Sequence, residues 1–212
     1  CPSPTSRIVG TGVGAFNFWT ANPFNATASP FVSNPGHRKQ ILFTKAELNA
    51  AGMDAGHSIT AIAFDIATFS GTNTFNGFTV KMSCTSLDEF PLFGGSYETG
   101  LSTVMNATAV TITSGWVDLN FDNAFNWDGE SNVIIEVCWQ NSSSLTTGTQ
   151  QVVNYTTLSK RMSLTSLVGF GGGVACTAAP SGSGFQRLNV RFKTCPAPPN
   201  LAFDYQWTPA IG

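Results

Sequence analysis

Apolar and polar residues trade places at every second position through residues 58–68. Ile59, Ala61, Ala63 and Asp65 fall on one side, and Thr60, Ile62, Phe64 and Ile66 on the other. The same period runs through 76–85, where Phe78, Val80 and Met82 oppose Thr79, Lys81 and Ser83. A period of two marks strands of a sheet. Ser70-Gly71-Thr72-Asn73 supplies turn chemistry between these two runs. Further strands are predicted over 104–113, 115–121, 150–156, 161–165 and 188–193. Residues 133–139 break the alternation: Val133, Ile134, Ile135, Val137, Cys138 and Trp139 are apolar almost without interruption. The run is too short and too β-branched for a helix, so it predicts a strand buried on both faces. Before it, Phe125-Asn126-Trp127-Asp128-Gly129 predicts a corner whose aromatics plug a core.

A helical signal occurs once. Thr44 is an N-cap, Glu47 completes a capping box, residues 45–51 favour helix and Gly52 stops it. Ile41, Leu42, Phe43 and Leu48 supply its packing, and His37-Arg38-Lys39-Gln40 reads as a solvated charged stretch leading into a strand. About nine strands with one short helix and regularly spaced turns predict an all-β fold, an antiparallel jelly-roll-like β-sandwich.

Composition narrows the setting. Charged residues are 10% of the 212, against roughly 25% in an average soluble domain. The polar surface must therefore be Ser, Thr, Asn and Gly, which suits an extracellular β-protein. The net charge of −2 and the lack of a basic cluster argue against nucleic acid, and no run is long and apolar enough to predict a membrane span. Cys1-Pro2-Ser3-Pro4 is echoed by Cys195-Pro196-Ala197-Pro198-Pro199. Proline-rich linkers mark domain edges. We therefore expect a module over 1–195, with 196–212 as linker and first strand (Leu201 to Trp207) of a following module. The chain reads as a piece of something longer.

The five cysteines lack zinc spacings, and disulfides in an oxidising compartment fit better. Spacing alone does not fix connectivity. The expected pairs are Cys138–Cys176 and Cys1–Cys195, with Cys84 left over as a small buried residue of its strand or with a role of its own.

Four acids, Asp118, Asp122, Asp128 and Glu130, together with nearby asparagines, offer oxygen ligands for calcium, although the spacing is not that of an EF-hand. Turn formation explains the same residues. Asp118 and Glu136, expected on neighbouring strands and close together, are the one carboxylate pair to weigh for glycoside hydrolysis, although Glu136, among apolar neighbours, more simply points outward or pairs locally. Neither His37 nor His57 has a nucleophile's setting. Gly10-Thr11-Gly12-Val13-Gly14 lacks the strand–turn–helix context of a phosphate loop. No catalytic residue is assigned. Among the aromatics Tyr97, flanked by glycines, is the expected exposed one and hence the ligand-binding candidate. Binding contacts are expected on the loops around 89–100 and 167–184.

Four segments carry a resemblance: Arg38-Lys39-Gln40-Ile41-Leu42-Phe43-Thr44 with Glu47-Leu48 and Ala51-Gly52; Ile59-Thr60-Ala61-Ile62-Ala63-Phe64; Gly115-Trp116 with Phe125 to Gly129 and Asn132 to Cys138; and Arg187-Leu188-Asn189-Val190-Arg191-Phe192. Together they resemble a β-sandwich module of very large secreted surface proteins of Bacteroidota, including gliding-motility adhesins and other cargo of the type IX secretion system. Residues 205–212 resemble the start of the immunoglobulin-like or PKD-like repeats of the same proteins. Leu188 departs from the proline expected there. The resemblance implies a non-catalytic cell-surface module serving adhesion or gliding. Its partners would be neighbouring modules, surface glycans or copies of itself. The alternatives are a carbohydrate-binding module of a secreted enzyme and a self-assembling filament subunit.

Overall fold

The computed structural model describes residues 3–13, 36–91, 96–141, 150–168, 175–180 and 182–196. In chain order these form β1 (Thr5–Val9), β2 (Gly36–Phe43), α1 (Lys45–Ala50), β3 (Ser58–Ser70), β4 (Thr74–Thr85), β5 (Ser102–Thr111), β6 (Gly115–Asn126) and β7 (Asn132–Gln140). There follow β8 (Gln150–Val153), β9 (Tyr155–Thr157), β10 (Ser163–Val168), a 3-10 turn at Ala175–Thr177, β11 (Gly182–Gly184), β12 (Gln186–Leu188) and β13 (Val190–Cys195). Residues 197–212, the expected linker and following strand, lie outside the described residues.

One sheet has the order β1-β13-β3-β6, with β8 pairing the end of β3; the other runs β11-β10-β2-β7-β4-β5; β9 and β12 form a small ribbon. Every pairing is antiparallel. From β1 to β7 the chain changes sheet at each connection except β4 to β5, and β13 returns between β1 and β3. This is jelly-roll connectivity, with β8 to β12 inserted before the last strand.

The core lies between the sheets and follows the alternation. Ile62, Phe64 and Ile66 of β3 and Phe78, Val80 and Met82 of β4 face inward, all buried. A register shift between Ile59 and Ala61 lets Ile59 join them despite its opposite parity. The pairing with β6 jumps from Phe125 to Asn120 at that point. Residues 121–124 thereby leave β3, and Asp122 reaches β5, where its carboxylate accepts a hydrogen bond from the Asn106 N–H at 2.8 Å. Trp127 is 1% exposed and fills the corner, its indole N–H donating to the Ser131 carbonyl at 2.9 Å. The expected aromatic plug is therefore present.

The helix forms where its caps predict. Thr44 and Glu47 exchange the two capping-box bonds. A second function falls to Glu47: Arg187, 1% exposed on β12, donates to its carboxylate at 2.5 Å and lies 4.5 Å from the Phe43 ring centroid. Burial alone would raise the Glu47 carboxyl, but the hydrogen bond and charge of Arg187 outweigh it and hold the group below its usual range.

The stretch His37 to Gln40 corrects an expectation. It is not solvated but is the first half of β2, with His37, Lys39 and Gln40 buried. It lies between β10 and β7, and a central strand of a covered sheet has no exposed face to give its charges. Lys39 is wholly buried, and its one hydrogen bond among the described residues goes to Thr165 Oγ1 at 2.5 Å. Burial pushes its ammonium well below the ordinary value.

Two predictions follow from these buried charges. Between the lowered native value of Lys39 and the ~10.4 of an unfolded lysine, only the unfolded state keeps the proton, so stability rises with pH there. Lys39→Met should remove that slope and stabilise the protein by about 1 kcal/mol or more, read from urea midpoints at pH 7 and 10. Glu47 has the opposite sense. Its contribution is present above the unfolded value of ~4.3 and is lost as pH falls through the native value. Glu47→Gln should therefore lower stability at pH 7 and flatten the acid limb of the stability–pH curve; an unchanged acid limb would contradict the Arg187 pairing.

Candidate functional site

The outer face of the second sheet carries a connected polar assembly among the described residues. Register sets Gln40 of β2 and Lys81 of β4 on either side of Glu136 on β7. Arg38 lies one outward position along β2. Glu136 is 1% exposed. Its Oε2 accepts from Arg38 Nε (3.0 Å), Arg38 Nη2 (2.8 Å) and Gln40 Nε2 (2.9 Å), and its Oε1 accepts from Lys81 Nζ at 3.2 Å. A buried carboxylate is tolerated only when its lone pairs are filled in this way.

The segment 96–101 docks onto this row. The Gln40 amide donates to the Glu98 carbonyl at 2.8 Å and accepts from the Glu98 N–H at 2.9 Å. One side chain thus offers the loop both bonds a neighbouring strand would offer. Tyr97 lies with its ring centroid 4.1 Å from the Arg38 guanidinium carbon and donates its hydroxyl to the Arg38 carbonyl at 2.9 Å. Leu42, Phe90, Ile134, Met162 and Leu164 complete an apolar cluster around it. Beside Arg38, whose Nη1 donates to the Ala178 carbonyl at 3.4 Å, the Cys138–Cys176 disulfide ties the 3-10 turn to β7 across a Cα separation of 5.5 Å. The 38-residue span of that link corresponds to about 4 kcal/mol of chain entropy.

Where the docked loop meets the sheet is a half-open pocket of about 210 Å³, lined by Arg38, Lys81, Glu98, Thr99, Gly100, Leu101 and Glu136. A wider, open groove of about 570 Å³ adjoins it through Glu98 and runs along Glu89, Phe90 and Arg161. Both fall on the 89–100 loop expected to carry contacts. Of the 167–184 loop, residues 169–174 and 181 lie outside the described residues.

The residues singled out from sequence are dispersed. Tyr97 is corrected from exposed to buried, at 5% exposure; its loop folds inward over an apolar patch, and burial pushes its phenol upward. The four acids do not share a centre. Asp118, on the outer face of the first sheet, pairs with Arg191 at 2.8 Å and Lys193 at 2.7 Å. Burial alone would raise its carboxyl, but these cations hold it below the usual range. Asp122 binds the β5 backbone. Asp128 closes its own turn, accepting from the Glu130 and Ser131 N–H groups and the Ser131 hydroxyl, and the hydroxyl bond first of all holds its carboxyl down to about 2. Glu130 pairs with Lys45 at 2.5 Å on the surface. No group of three metal-ligating side chains occurs among the described residues, so this set offers calcium no common centre.

Asp118 and Glu136 are not on neighbouring strands either. β6 and β7 belong to opposite sheets, and each carboxylate faces outward from its own, which removes the cleft that glycoside hydrolysis needs. Cys84 is an exposed free thiol, not a buried filler: it is the last residue but one of β4, where the strand ends. Partial burial raises its thiol, with Asp128 beside it. Cys195 is buried and is not a free thiol; Cys1, its expected partner, lies outside the described residues.

Sequence reasoning missed Arg38, Gln40, Lys81 and Glu136 as a unit. A signal was there: one carboxylate inside an apolar run must find cations within reach. No protein-family model, curated protein or solved structure matches the chain. The fold and this site define a jelly-roll β-sandwich with a disulfide of the kind found outside reducing compartments, and no described helix is long and apolar enough to cross a membrane.

Removing Glu136 would strand two cations and an amide. Glu136→Ala should cost about 3 kcal/mol, at the lower end for a buried pair because Lys81 is partly solvated. It should also speed hydrogen exchange at the Glu98 amide. Unaltered Glu98 exchange would show that the loop docks independently of the carboxylate.

Proposed function

We propose that the chain is a non-catalytic extracellular module of a large bacterial surface protein, serving adhesion or gliding motility as a structural and ligand-presenting unit. One observation carries the reading. β1 and β13 are neighbours in one sheet, with Thr5 opposite Thr194. Any polypeptide continuing from either strand therefore joins at the same end of the sandwich. A spacer in a stalk gains length when its ends lie at opposite poles. A unit held by one end adds little length and displays its flanks and far loops. Low charge, the disulfide and the resemblance in motifs support an extracellular, surface-attached setting.

The second reading, a carbohydrate-binding module of a secreted enzyme, is favoured by the polar cavity at segment 96–101. In-frame deletion of the module from its parent protein in the native cells separates presentation from catalysis. We expect surface display of the remaining protein to persist while adhesion or gliding falls several-fold. Unchanged adhesion and gliding, with a secreted hydrolytic activity lost instead, would overturn the proposal in favour of the second reading.

A further inference from the structure

We infer that the cavity beneath segment 96–101 is a subsite for one neutral sugar ring, held through vicinal hydroxyl groups. This rests on the reading of the chain as a ligand-presenting module and names the ligand class of that same site. The cavity balances its charges, with Arg38 and Lys81 against Glu98 and Glu136 in its lining. A bound anion would face Glu98, and a bound cation would face Arg38 and Lys81. A neutral ligand meets neither repulsion. Lysine carries three donors and no acceptor, and Glu136 takes one of those of Lys81. Glu98, an exposed residue of the same lining, carries a carboxylate, an acceptor only. A hydroxyl both donates and accepts. Two adjacent hydroxyls therefore satisfy an ammonium and a carboxylate together, one accepting and the other donating. Half-buried Leu101 supplies an apolar wall for the C–H face of a ring.

The site is organised before any ligand arrives. Glu136 fixes Arg38 and Lys81, and Gln40 fixes the Glu98 backbone at both its N–H and its carbonyl. At about 210 Å³ the cavity lies below the roughly 300–1,000 Å³ of drug-sized sites, so one ring fits rather than a chain. The adjoining groove past Glu89 and Arg161 leaves room for the rest of a glycan.

The test is titration of the whole chain, followed by NMR, with methyl glycosides of the common neutral hexoses and with hexuronic acids at matched concentrations. We expect at least one neutral glycoside to bind with a Kd on the order of 1 mM, shifting the Glu98 and Leu101 amides. Glu98→Gln and Lys81→Met should each weaken it roughly tenfold, the loss expected for one charge-assisted hydrogen bond, with urea midpoints checked alongside. Glu98→Gln changes an exposed side chain and spares the backbone clamp, so it serves even if Lys81→Met fails to fold. The inference is overturned if no neutral glycoside shifts these amides at 20-fold that concentration. It is also overturned if uronic acids bind more tightly, or if Glu98→Gln leaves binding unchanged. Loss of adhesion on module deletion together with a silent cavity would sink this subsite and leave the presenting role standing.

Discussion

A carboxylate with 1% of its surface exposed stands in the middle of β7, between Ile135 and Val137. Taking such a group out of water costs several kcal/mol unless its oxygens are filled. The second sheet is arranged around meeting that cost. Arg38, Gln40 and Lys81 come from the two strands flanking β7, so register between three strands is fixed by one acid. A slip of one residue would turn Glu136 into the core and Ile135 out of it. The same acid decides how the loop lies. Its partners Gln40 and Arg38 in turn hold Glu98 and Tyr97, and the pocket is lined by that loop together with the outward side chains of β2, β4 and β7.

The first sheet solves a milder version of the same problem. β13 and β6 are separated by β3, about 10 Å apart at ordinary strand spacing, yet Arg191 and Lys193 both reach Asp118. They reach it because the outward residues of β3 between them are Ala63 and Ala61. Larger side chains there would stand between the charges. Arg191 also lies 5.0 Å from the Trp116 ring centroid. These groups retain contact with water, so the pairing contributes modestly to stability. Its effect is to tie the outer face across three strands. Two outer faces therefore differ in kind: one open and laced by surface pairs, the other roofed by a loop over a buried pair.

The parts of the fold legible in sequence were those where one local pattern suffices. The period of two placed β3 and β4, the capping box at Thr44 and Glu47 placed α1, and the apolar run at 133–139 predicted burial of β7 on both faces. Errors arose where a long-range neighbour decides the outcome. His37 to Gln40 carries two formal charges, and nothing local says that β7 supplies a carboxylate on one side and β10 a pairing strand on the other. Tyr97 sits among glycines like an exposed tip, but the patch that buries it comes from Leu42, Ile134 and Met162, far away in the chain. The acids from Asp118 to Glu130 look like one cluster because they are close in sequence. A strand, a crossing and a turn send them to separate places.

The position of the cavity bears on how a ligand would be engaged. It lies midway along β2, β7 and β4, on the flank of the sandwich, not among the loops at the pole away from Thr5 and Thr194. Loops at a pole are stiffened only by their two anchor strands, and such segments open at low free energy. Segment 96–101 has no strand conformation. It nevertheless receives a strand's pair of hydrogen bonds from Gln40 and an aromatic anchor from Tyr97. The sheet beneath is continuously paired through β2, β7 and β4, so the Glu98 backbone is held to a rigid base. For a small polar ligand whose binding rests on two or three hydrogen bonds, that rigidity matters more than contact area, because little ordering remains to be done on binding.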